Sequence, residues 1–181
     1  VKQRITTALA AAALAVGLVT TSATPAAASS SWPVPWDGTI VEFVNKMPSS
    51  WSTAVNDGIN WLDQYTGSDL RVVTGSCHAN VRRCVTIVNA RLKGGEKENS
   101  TGWSEGTTIT IDVWKTENVS PWKGHFDGAS KKYLIAHEAG HQRFQNHTSD
   151  CKNFMEPRWK CDGRVPYLWT NDAQKKSLKT Y

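Results

Sequence analysis

The sequence predicts an α+β fold in a single domain, and three observations carry that prediction. Runs of branched and aromatic residues at Thr39–Val44, Arg71–Val73, Cys84–Val88 and Thr107–Val113 read as strands. Trp51, Val55, Ile59, Leu62 and Tyr65 recur at helical spacing. Tyr133–His147, which reads Y-L-I-A-H-E-A-G-H-Q-R-F-Q-N-H, is a second helical stretch that carries the chain's densest group of histidines.

In chain order, residues 1–28 read as a secretory signal rather than as part of the fold. Lys2 and Arg4 give a positive start, Ile5–Val19 is an alanine-rich apolar run too short to span a membrane, and Ala26, Ala27 and Ala28 form a small-residue cleavage site. Cleavage after Ala28 leaves 181 − 28 = 153 residues, enough for one domain with a real core, and implies a secreted, extracellular protein. Lys2 and Arg4 are the only charges removed, so the net charge of +5 becomes +5 − 2 = +3. That excess is too small and too evenly spread for a nucleic-acid binder, and no segment predicts a membrane anchor. The nine tryptophans fit core and cleft walls better than a sugar platform.

After an aperiodic leader at Ser29–Asp37, the strand Thr39–Val44 leads to a helix introduced by Pro48 and closed by Gly67. Gly94–Asn99 is turn-like, Ser100–Glu105 is a short edge strand, and Thr107–Val113 is the clearest alternating strand. Ser120–Gly128 forms a loop, Asp127 or Ser130 caps the next helix, and that helix is expected to run to about Gln145 with Tyr133, Ala136, Gly140 and Phe144 against the sheet. Gly163–Pro166 turns the chain, and Thr170 caps a last helix at Asn171–Leu178. His78 and His125 are isolated and lack ligand spacing.

Four cysteines in an exported chain suggest disulfides, with three possible connectivities. The local one, Cys77 with Cys84 and Cys151 with Cys161, closes two short loops. A Cys/His zinc site is the rival, and the C-x6-C spacing fits it poorly.

The chemistry is concentrated in H-E-x-x-H, His137, Glu138 and His141. Residues i and i+4 stack on one helix face, so both imidazoles can meet one ion while Glu138, one step round, is placed to take a proton from water. Catalytic zinc needs a third protein ligand. His147 lies six residues past His141, which on a continued helix is a rotation of roughly 240° to the wrong face, so the helix must stop and the chain fold back.

His137, Glu138, His141, His147 and Met155, in C-K-N-F-M-E-P, resemble the metzincin metalloprotease pattern H-E-x-x-H-x-x-G-x-x-H with its methionine turn. In size and layout the chain is similar to the snapalysin-type members, small secreted neutral proteases. The resemblance implies a compact metzincin-like α+β domain over residues 29–181: a twisted mixed sheet with an antiparallel edge strand, a backing helix, an active-site helix, a methionine turn at Met155 and a C-terminal helix. It implies a secreted zinc endopeptidase with one catalytic Zn2+ on His137, His141 and His147, and Glu138 as general base. Thr101, Gly102, Trp103 and Ser104 would bind the substrate backbone, and Glu156–Trp169 would wall the pocket beyond the scissile bond. Two departures stand out. The family glycine is Phe144, which disfavours positive φ and moves the expected break to Asn146. Snapalysin-type enzymes use an aspartate as third ligand, which keeps Asp150 as the alternative to His147, with Glu156 behind it.

The expected partners are a polypeptide substrate and a proteinaceous inhibitor, with the protein a monomer. Calcium is a further possible ligand, although no loop has its pattern. The competing functions are a zinc hydrolase acting on a non-protein amide such as cell-wall material, and a secreted module that only binds the ion. A site built only to hold zinc has no need of Glu138.

Overall fold

The computed structural model describes residues 40–66, 69–119, 126–143, 145–150 and 153–157. The expected signal segment and leader, Phe144, the second cysteine pair, most of the pocket wall and the C-terminal helix lie outside the described residues. The described chain is α+β. β1 (Ile40–Lys46) is followed by a single 3-10 turn and α1 (Ser52–Asp63), then β2 (Asp69–Val73), β3 (Arg83–Asn89), a 3-10 turn at Gly95–Asn99, β4 (Gly102–Glu105), β5 (Thr108–Ile111), α2 (Val113–Asn118) and α3 (Gly128–His141).

The strands form one mixed sheet in the order β2-β1-β3-β5-β4. β2, β1, β3 and β5 are mutually parallel, and only β4 runs antiparallel, at the edge. Parallel strands read as near-continuous apolar runs, which is why β1 and β3 stood out in the sequence. A two-residue turn joins β4 to β5, and Gly106 takes the positive φ (58°) that such a tight turn requires. Val41, Phe43, Val85, Ile87, Ile109 and Ile111 come from alternate positions of three strands and are fully buried. They pack with the α1 stripe Trp51, Val55, Ile59 and Leu62, with Ile135, Ala136 and Ala139 of α3, and with Phe154 and Met155. Both helices therefore share one core with one face of the sheet.

Three expectations need correction. α1 begins at Ser52, because Ser49–Trp51 tightens into a 3-10 turn after Pro48. Thr107–Val113 is not one strand: it stops at Ile111, and Asp112 caps α2 by accepting from the Lys115 N–H at 2.9 Å. The alternating pattern concealed that cap. α3 ends at His141, four residues before the expected position, because the Gln145 N–H turns back to the Gly140 carbonyl at 3.1 Å. Cys77 and Cys84 are bridged, as the local pairing predicts. Among the described residues no helix is long and apolar enough to cross a membrane.

α1 and α3 touch most closely at Gly58, where an added Cβ would lie 2.9 Å from Ile135 Cγ2 and 3.0 Å from the Lys132 carbonyl. Gly58→Ala is therefore expected to destabilise the fold by about 1–3 kcal/mol in urea unfolding despite alanine's better helix propensity. An unchanged midpoint for Gly58→Ala would contradict this packing.

Candidate metal centre

The last two turns of α3 carry His137, Glu138 and His141, all nearly buried. His137 Nδ1 lies 2.9 Å from the Phe154 carbonyl, and His141 Nδ1 lies 2.8 Å from the Gln145 carbonyl. A carbonyl only accepts, so both Nδ1 atoms carry the proton and both Nε2 atoms present a bare lone pair. The two lone pairs meet the third imidazole: His147 Nε2 is 3.2 Å from that of His137 and 3.0 Å from that of His141. His147 can donate one proton to one of them, which leaves the arrangement short of positive charge at its centre. A cation there would satisfy all three.

The two distances from His147 are close to those such an ion sets, and all three ligand atoms lie within 4.8 Å of one another. Tetrahedral zinc with nitrogen ligands at about 2.0–2.1 Å sets those nitrogens about 3.3–3.4 Å apart. Among the described residues, His137, His141 and His147 form the group able to hold a metal. An all-imidazole set suits first-row transition metals and does not by itself choose among them. Burial lowers the pKa of all three, His137 well below its ordinary 6.5 and His141 to about 4, and neighbouring imidazoles push those two further down. For His147 the nearby Glu156 carboxylate works in the opposite direction. Neutral imidazole is the ligand form.

His147 returns to the helix because the following turn is tied to it. The Thr148 N–H donates to the Met155 carbonyl at 3.0 Å, the Met155 N–H to Asn153 Oδ1 at 2.9 Å, and the Asn153 N–H to the Asp150 carbonyl at 2.8 Å. The Tyr133 hydroxyl donates to the Glu156 carbonyl. Met155 and Phe154 are fully buried against Gly140, where an added Cβ would come within 2.6 Å of both side chains. Gly140 and Tyr133 thus face this turn, where the sequence suggested the sheet. Asp150 is exposed, and neither it nor Glu156 joins the cluster. His78 stands apart, with its Nδ1 2.6 Å from Glu42 Oε1. His125 lies outside the described residues.

Glu138 is 2 % exposed, and its Oε2 has no hydrogen-bond partner among the described residues. Desolvation raises its pKa to about 8. The edge strand lies directly on it: a Cβ at Gly102 would sit 2.4 Å from Glu138 Oε1. Thr101, Trp103 and Ser104 flank that glycine and are buried. Two residues that sequence reasoning missed knit strand to helix. Gln142 Nε2 donates to Ser104 Oγ at 2.6 Å, and Arg83 Nη2 donates to Gln142 Oε1 at 3.1 Å and to the Gly106 carbonyl at 3.3 Å. These pairs span 38, 59 and 23 positions, so no local pattern announces them.

The metal-free protein is expected to be most stable near pH 6.5. The three lowered histidines contribute stability that is complete above their ordinary 6.5 and is lost as pH falls, for His141 down to about 4. Glu138 acts in the opposite sense: its contribution is complete below 4.5 and is lost as pH rises towards about 8. Three groups against one set the acid side. Denaturant unfolding of chelator-stripped protein at pH 5, 6.5 and 8 tests this, and a steady gain down to pH 5 would refute it. No family model matches the sequence and no curated protein does, which leaves the chemistry to be read from these side chains themselves.

Proposed function

We propose that the chain is a secreted zinc-dependent endopeptidase of metzincin type, residues 29–181 after removal of a signal at 1–28. The observation that carries this reading is the convergence of three imidazole nitrogens beside a desolvated carboxyl group that an edge strand overlies. A four-stranded parallel sheet with one antiparallel edge, the helix α1 behind it and Met155 buried against α3 support the metzincin layout. The basic, apolar and small-residue order of the first 28 positions supports export, and the Cys77–Cys84 bridge suits an oxidising compartment.

His137, His141 and His147 would hold the zinc through their Nε2 atoms, and the ion would supply Lewis acidity that polarises a carbonyl, acidifies water and favours the ionised form of Glu138. Glu138 receives the proton of the attacking water at Oε2, the oxygen otherwise left without a partner, and delivers it to the departing amine as the C–N bond breaks. Among the described residues β4 pairs with β5 alone, so its other edge offers backbone groups to an extended polypeptide. Gly102 lets that strand approach the carboxyl group. A purely structural ion would leave the cost of burying Glu138 unexplained. We place the protein outside the cell as a monomer acting on polypeptides and open to a proteinaceous inhibitor.

Casein hydrolysis with and without phenanthroline, alongside metal content by mass spectrometry, tests the reading. Chelator-sensitive cleavage with a single zinc per chain is expected, and chelator-resistant cleavage or none would overturn it. Glu138→Gln should lower turnover by about 100-fold or more while zinc stays bound. Gly102→Ala, with its Cβ pressed on the carboxyl group, should retain zinc and lose at least about tenfold in kcat/KM through misplacement of the base. Unchanged turnover in Gly102→Ala would dissociate β4 from the cleft.

A further inference from the structure

The edge strand is entered through residues 92–101, and this loop is built around a buried ammonium. Its 3-10 turn, Gly95–Asn99, has no buried residue, so apolar packing does not hold it. Lys115, on α2, is 6 % exposed. Its Nζ donates to the carbonyls of Glu98 and Ser100 at 2.8 Å each and reaches that of Leu92 at 3.5 Å. An ammonium has three donors, and three carbonyls converge on this one. Asp112 Oδ2 lies 3.8 Å away and is shared with Arg91, whose Nε is 3.3 Å from it. Asp112 is fully buried, accepts from the Leu92 N–H at 2.9 Å, and donates its own N–H to the Thr101 carbonyl at 2.8 Å, immediately before β4. Three carbonyl oxygens gathered on one ammonium resemble the oxygen cage that binds a hard metal cation.

We propose that Lys115 is a positioning residue for substrate: its ammonium takes the role of a structural cation, fixing the 92–101 loop and, through Thr101, the outer edge of β4 over Glu138. The proposal rests on the reading of β4 as the peptide-binding strand. Lys97 holds the other end of the strand from the same loop, with Nζ 2.6 Å from Glu105 Oε2 and 5.2 Å from the centre of the Trp103 ring. The loop thus reaches both ends of β4, and the ammonium fixes the loop.

The test compares zinc-loaded wild type with Lys115→Met and Lys115→Arg. In Lys115→Met, amide exchange across 100–105 should quicken by about tenfold or more while α3 stays protected, because loss of one partner opens the anchored segment locally. With a peptide long enough to lie along β4, KM should rise by about tenfold with kcat within about twofold, zinc content unchanged, and Lys115→Arg should restore part of the loss. Wild-type protection at 100–105, equal loss of protection in α3, or a fall confined to kcat would overturn the proposal. If Lys115→Met does not fold, native-state exchange of the wild type decides: a shared opening free energy across 95–105 supports the anchor, and independent opening of 102–105 refutes it. A wild type that cleaves no peptide would sink the endopeptidase reading, and the exchange comparison would still decide whether Lys115 holds the strand.

Discussion

A helix can present two imidazoles to one point, a turn apart, and a third must come from outside it. In this chain that constraint fixes where α3 ends and how the following segment is built. The Gln145 N–H closes on the Gly140 carbonyl, the Gln145 carbonyl receives the His141 Nδ1–H, and His147 comes round to face both bare nitrogens. The same hydrogen bonds stop the helix and set the tautomers. The buried turn at 153–156 serves both purposes, since the Phe154 carbonyl orients His137 and the Thr148–Met155 bond holds the segment next to His147.

Burial then does chemical work. Desolvation keeps three imidazoles neutral and gives Glu138 an elevated pKa with one oxygen unpaired. Left alone, such a cluster is a cost to the fold. A cation would offset it, coupling occupancy of the site to the protein's stability. Two glycines permit this crowding: Gly140 admits Met155 and Phe154 beneath the imidazoles, and Gly102 admits the edge strand above the carboxyl group.

Much of this was legible in the sequence, for physical reasons. β1 and β3 are rich in branched and aromatic residues, so both were visible to within a residue or two, and the i, i+4 spacing of His137 and His141 announces convergence directly. His147 could be expected as an outside ligand because the helical rotation excludes it. What was hidden depends on distant partners. Asp112 looks like one more residue of a strand until its side chain is seen to cap α2, and Gln142, Arg83 and Lys115 take on meaning only from groups 15 to 59 positions away. The helix end was misplaced because its signal is a backbone bond, which side-chain identity does not encode.

The strand order has a kinetic side. β1, first of the described strands, is central and waits for β2 and β3, each delivered by a long parallel connection. Among the described strands β4 and β5 form the one antiparallel pair, joined through Gly106 and Thr107. Pairings of high sequence separation are slow to form and reform, whereas a hairpin closes in about 1–10 μs. The β4–β5 hairpin is therefore the part of the described sheet whose pairing is the most local and the quickest to form.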